Sequence, residues 1–172
     1  MDSDIVYRKM NEADIEQVYN IETTCFTQPW SRASLLSEIT KNAVARYIVA
    51  DDGGTIAGYA GMWILFDEAH MNNIAVLPEY RRQGIATALI LNLMQAAAAE
   101  EALRMTLEVR EHNYKAQRVY YALGFAYAGT RRHYYSDTGE NALILWNDSI
   151  SDTLKSNNLK PKPMDDPFSD RP

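Results

Sequence analysis

The sequence predicts a mixed α/β fold, and three observations carry that prediction. Short β-branched runs alternate with amphipathic stretches between residues 5 and 146. An Asp51-Asp52-Gly53-Gly54 turn joins two apolar runs, which marks a hairpin. One long helical stretch separates the strand-like runs 69–76 and 105–110, which makes those runs parallel neighbours.

The elements follow in chain order. Residues 5–10 read as a short strand. Asn11 or Asp14 can cap a helix carrying Ile15, Val18, Tyr19 and Ile21. Pro29-Trp30-Ser31 turns into a second helix, with Ser31 as cap and Leu35, Leu36 and Ile39 facing inward. Residues 47–50 form a strand and 55–66 its return after the turn. A turn at Asp67-Glu68 leads into 69–76. Residues 84–101 give the clearest helix, because Ala86, Leu89, Ile90, Leu93, Met94 and Ala97 form one stripe. Then come a strand at 105–110, a helix at 113–123 closed by Gly124, and strands at 125–135 and 142–146.

A length of 172 residues favours one domain, assigned to residues 1–150. Residues 151–172 hold four of the six prolines and scattered apolar residues, and their charges cancel. They read as a disordered tail, with a strap docked on the domain or on a second subunit as the rival reading. The net charge of −6 argues against nonspecific nucleic-acid binding, which needs clustered cations. No apolar run is long enough to span a bilayer, and the start of the chain lacks the pattern of a secretory signal. The single cysteine, Cys25, excludes an internal disulfide framework and suits a reducing compartment, so a cytoplasmic location is expected; a monomer is a separate expectation that the cysteine does not decide. Neither it nor His70, His112 and His133 has metal-ligand spacing. Asp67-Glu68-Ala69-His70 spells a helicase motif, but no P-loop accompanies it.

The most informative stretch runs from Asn73 through Ile74, Ala75 and Val76 to Arg81, Arg82, Gln83, Gly84, Ile85, Ala86 and Thr87. A strand ends, a basic loop follows, and a glycine opens a helix. Free backbone N–H groups at such a helix start, with the positive end of its dipole, suit a pyrophosphate. An ordinary turn with two solvated arginines is the plainer reading.

Here the sequence resembles the GCN5-related N-acetyltransferase superfamily. Arg81-x-x-Gly84-x-Ala86 matches its signature. Leu107-Glu108-Val109-Arg110, then Asn113, Tyr120 and Leu123-Gly124-Phe125, match its acetyl-CoA domain. Pro29-Trp30-Ser31, Asp67-Glu68-Ala69-His70 running into Asn73-Ile74-Ala75-Val76, and Arg132-x-Tyr134-Tyr135 with Gly139-Glu140 resemble the branch that acetylates the N-terminal alanine of bacterial ribosomal protein S18. The resemblance spans about residues 5–147. It implies a central, mostly antiparallel sheet, one parallel pair splayed at the acetyl-CoA site, and about four flanking helices. It also implies direct attack by the amine of an S18 N-terminal peptide, with acetyl-CoA as cosubstrate, no metal and no acetyl-enzyme.

By residue, the resemblance implies cofactor contacts for 74–76, 81–87 and Asn113, with backbone donors of the splayed strand facing the thioester carbonyl. Glu108 matches the branch's proton acceptor. Alternation puts it with Thr106 and Arg110, opposite Met105, Leu107 and Val109, where apolar walls would raise its pKa. A solvated carboxylate paired with Arg110 is the alternative. Tyr120 matches the proton donor and shares a helix face with Ala116, Val119 and Leu123; a core tyrosine is the alternative. Asn113 could equally cap its helix. Trp30, Tyr134, Tyr135 and Glu140 would line the peptide mouth, although large aromatics usually bury. His112 is a surface histidine that could also help Glu108 move protons. Departures from the branch are Asn141, where Asp is usual, and Leu145, where Met is usual. Acetylation of lysines or small amines, and noncatalytic acyl-CoA binding, stay open at this point.

Overall fold

A computed structural model describes residues 4–157 and Phe168. Strands β1 (Val6–Lys9), β2 (Ala45–Asp52), β3 (Thr55–Leu65), β4 (Glu68–Val76), β5 (Arg104–Arg110), β6 (Ala126–Arg131) and β7 (Ala142–Asn147) form one seven-stranded sheet. Its order is β1-β2-β3-β4-β5-β7-β6. Every neighbouring pair is antiparallel except β4 and β5, as the connection by a helix dictates. Helices α1 (Ile15–Cys25), α2 (Arg32–Thr40), α3 (Ile85–Ala99), α4 (Tyr114–Ala122) and α5 (Ile150–Ser156) cover it.

Local chemistry explains where the helices begin. Asn11 accepts from the Ala13 N–H while Asp14 accepts from the Asn11 N–H, a capping box on the 3₁₀ turn that leads into α1. Ser31 caps α2 and Asn113 caps α4, each accepting an N–H three residues on. Gly124, at φ 88°, ends the turn after α4 in a conformation that favours glycine.

Two apolar cores sandwich the sheet. On one side Leu89, Ile90, Leu93 and Met94 of α3, with Tyr120 and Leu123, meet Met105, Leu107 and Val109 of β5. Each fully buried aliphatic side chain contributes roughly 1.5–3 kcal/mol. On the other side Val18, Ile21 and Leu35 meet Tyr47, Val49 and Tyr59. Buried Arg46 makes a two-armed pair with Glu100, at 2.6 and 2.5 Å, that ties β2 to the end of α3.

Four details depart from the sequence reading. Leu36 is 40% exposed, because only Leu35 of that pair falls on the packed face of α2. The strand expected at 125–135 stops at Arg131, since His133 takes a φ of 52° and the chain turns there. The burial on α3 is wider than one stripe and includes Ile85, Leu91 and Ala96. Beyond residue 150, α5 is a fifth helix, capped by Ser149, with Ile150 and Thr153 buried and Leu154 packed on the core. Phe168 is also buried, its ring 5.7 Å from the Arg46 guanidinium. The expectation of a disordered tail otherwise concerns residues outside the described ones. Among the described residues, no helix is long and apolar enough to cross a membrane.

Candidate active site

The site lies where the parallel pair parts. β4 and β5 are in register at Glu68↔Arg104, Ala69↔Met105 and His70↔Thr106, and then separate. The register of β4 against β3 slips just there: Met62 faces Met71 while Gly61 faces Asn73, which leaves Asn72 as a bulge. From Met71 onward the β5-facing edge of β4 has no strand partner. A cavity of about 300 Å³ opens in the gap. Of the residues singled out in the sequence, Trp30, Ile74, Glu108, Asn113, Tyr120 and Tyr135 line it.

Glu108 is mostly buried. His70 Nε2 lies 2.6 Å from its Oε2, and Arg131 Nε lies 3.4 Å from its Oε1. Burial alone would push its carboxyl up. The His70 hydrogen bond and the charges of His70 and Arg131 outweigh burial and hold it below the usual carboxylate range. The expected upward shift is therefore overturned, because two cationic-capable side chains from β4 and from the end of β6 reach the carboxylate. Nor does Glu108 pair with Arg110. That guanidinium grips Asp137 at 3.0 and 2.9 Å and stacks 4.0 Å above the Tyr135 ring.

Tyr120 is buried, and burial, with Tyr135 nearby, raises its hydroxyl far above the ordinary value. It therefore carries its proton at neutral pH, edge-on to Phe125 at 5.8 Å. Asn113 caps α4 and borders the cavity at once. His112 is exposed and bonds Glu140, so the histidine beside Glu108 is His70 instead.

The basic loop follows β4 through a 3₁₀ turn, Pro78–Tyr80. Gly84 sits at φ 78° at the mouth of α3, and a Cβ there would meet nothing within 4 Å. Arg82 also takes a positive φ, 63°, a conformation costing ~1–3 kcal/mol. Arg81 is not a free cation: its Nε donates to the Val76 carbonyl at 3.0 Å and its Nη2 reaches Cys25 Sγ at 3.5 Å. It straps the loop to the end of β4. Ile85 is buried, so only its backbone faces the loop, whereas Arg82 and Gln83 are exposed. Ala86 and Thr87 are partly buried in the first turn of α3.

On the opposite side, two loops meet across the cavity mouth. Thr27 Oγ1 donates to Asp137 at 2.6 Å, and Gln28 bonds Ser136 at 3.4 Å. Tyr135 lies beneath, its hydroxyl pushed up to about 12, chiefly by burial. Tyr134 stays outside, half exposed and edge-on to Tyr135. Glu140 is committed to the His112 N–H and ring and to Arg110, so it anchors the turn. Asn141 accepts from the His133 N–H and donates to Glu111.

Sequence reasoning missed His70, Arg131 and Glu22. Glu22 is almost fully buried in the cavity wall, where it accepts from the Trp30 N–H at 2.9 Å and from Asn73 at 3.3 Å. The available signal for His70 was its place in the strand before the crossover. Parallel pairing with 105–110 brings it to the Glu108 face.

A sheet split at a single parallel pair, followed by a glycine-opened helix, is the architecture that the sequence resemblance implies. Residues 15–125 match the Acetyltransferase (GNAT) family, and the chain belongs to that family. Within it, the chain is 42% identical over 139 residues to a putative ribosomal protein bS18-alanine N-acetyltransferase of Bacillus subtilis, covering 81% of this chain and 92% of that one. It is 34% identical over 140 residues to the ribosomal protein bS18-alanine N-acetyltransferase of Escherichia coli K12, covering 79% and 92%. The crystal structure of the ribosomal-protein-S18-alanine N-acetyltransferase from E. coli superposes with a TM-score of 0.76 at 31% identity, covering 83% of this chain and 92% of that one.

Proposed function

We propose that this protein transfers the acetyl group of acetyl-CoA to a protein N-terminal α-amine in the cytoplasm, with the N-terminal alanine of ribosomal protein S18 as its substrate. The observation that carries this reading is the presence of Glu108 and Tyr120 on the walls of one cavity at the split between β4 and β5. The substrate follows from the named relatives.

The residues present fit acetyl-CoA. The open edge of β4 at 71–75 offers backbone groups with no β5 partner, and the space over Gly84 admits a phosphate to the start of a 15-residue helix. When bound, acetyl-CoA supplies the thioester. The chain's own residues handle protons. A terminal ammonium has a pKa of ~7.7–8.0, so it must be deprotonated before it can attack. Becoming an amide removes two protons from –NH₃⁺; one ends on the leaving sulfur and the other goes to solvent. Glu108, held ionised, takes a proton at a carboxylate oxygen, and Tyr120, held protonated, gives one from its hydroxyl. Exposed Arg82 and the N–H groups of the first turn of α3 hold the pyrophosphate, and Asn113 borders the pantetheine path. Trp30 and Tyr135 flank the incoming peptide.

The test is mass spectrometry of a peptide with the S18 N-terminus, incubated with acetyl-CoA. A second peptide with its α-amine blocked and a lysine retained is run beside it. Acetylation of the free α-amine alone is the expected result. Modification of the blocked peptide would transfer the assignment to lysine, and no transfer to either would sink the N-terminal reading.

A further inference from the structure

His70 occupies the last register position at which β4 is bonded to β5, opposite Thr106. One step further the strands part and the cavity begins. From that fork its imidazole reaches diagonally to Glu108. The contact is short, 2.6 Å between Nε2 and Oε2, and the Glu108 side chain is only 14% exposed. An ionised carboxylate only accepts hydrogen bonds, so Nε2–H is the donor. The other carboxylate oxygen is held less firmly, since Arg131 Nε at 3.4 Å is long for a hydrogen bond.

The surrounding groups leave this contact to His70. Glu68, two residues earlier on β4, is taken by Arg104 of β5. Trp63, opposite His70 on β3, donates its indole N–H to Glu38 at 2.8 Å. Arg110 is committed to Asp137 and Glu140. Glu22 from α1, Tyr120 from α4 and Tyr135 from the β6–β7 loop complete the titratable groups facing the cavity, and none of them donates to Glu108 among the hydrogen bonds of the described residues. No assigned step uses His70.

We propose that His70 is a positioning residue for the acetyl-transfer site: from β4 it clamps Glu108 Oε2, leaves Oε1 to take the amine proton, and sets how readily that oxygen does so. This rests on Glu108 being the proton acceptor. His70 is not among the residues lining the cavity; it acts through the carboxylate. Without the clamp, Glu108 keeps its burial but loses its principal stabilising donor. The carboxyl then protonates more easily and is free to rotate.

The deciding experiment is a carbon-detected NMR titration of the Glu108 carboxyl in the ligand-free full chain, wild type against His70→Gln and His70→Ala. The midpoint moves upward in both variants, further in His70→Ala, where no donor remains. In parallel, kcat for the S18 peptide falls about tenfold in His70→Ala with peptide KM unchanged, and its decline toward acid pH begins at a higher pH. His70→Gln, which retains a donor, recovers part of that loss. An unmoved midpoint in both variants overturns the proposal, as does a moved midpoint with wild-type kcat. Should a variant fail to fold, the His70 ring nitrogens of the wild-type chain are compared with those of Glu108→Gln; identical Nε2 resonances would equally overturn it. If the wild-type protein acetylates no amine, the functional reading falls while the titration still decides the clamp.

Discussion

Two walls of the same cavity each carry a buried glutamate, and the two behave in opposite ways. On the α1 wall, Glu22 is almost fully buried with only neutral donors, the Trp30 N–H and the Asn73 amide, and burial raises its carboxyl. On the β5 wall, Glu108 is less deeply buried but meets His70 and Arg131, which hold its carboxyl down. Burial sets the cost of charge; the charge-bearing neighbours decide whether that cost is met. Glu22 builds the wall and fixes the turn at Trp30, whereas Glu108 stays ionised, as the proposed role of proton acceptor requires.

The largest way to test this contrast is to neutralise each carboxylate. Glu108→Gln lowers kcat/KM for the S18 peptide by about 10²–10⁴-fold, while Glu22→Gln changes it far less. Steady-state kinetics on both variants check the ratio, and equal losses would erase the distinction. Next in size, Tyr120→Phe lowers kcat by about 10–100-fold with little change in melting temperature, since the hydroxyl alone is removed from a buried ring.

Stability gives a subtler contrast. The folded-state carboxyl of Glu108 is lowered, so its contribution is present above the ordinary carboxylate range and is lost as pH falls through its folded value. That of Glu22 is raised, so its contribution is present below the ordinary range and is lost as pH rises through its folded value. Calorimetry from acid to neutral pH should show the Glu108→Gln melting difference growing more unfavourable as pH rises. The Glu22→Gln difference should grow more favourable. Each change amounts to about 2–4 °C, the equivalent of about 1 kcal/mol in a chain this long. Smallest of all, Arg131→Ala alters kcat by less than about fivefold, because its ion pair is long and the side chain is half exposed.

The split between these two walls also marks what was legible in the sequence. Periodicity located most of the strands and helices, because local pattern decides them. It lost α5, where only Ile150 and Leu154 repeat on one face within less than two turns, too short to stand out. In the site, alternation placed Glu108 on the cavity face, and the helical stripe placed Tyr120. The electrostatics of Glu108 were misjudged because its partners lie 38 and 23 residues away, on strands whose register no local pattern reports. The partners of Glu140 were hidden for a similar reason: its oxygens bond His112 and Arg110, and it does not line the cavity.

The bridge of Thr27 to Asp137 over the cavity mouth has a consequence for traffic. On the proposed reading, a chain that enters beneath this tie must thread, and a free terminus threads where a folded loop would have to pass two strands abreast.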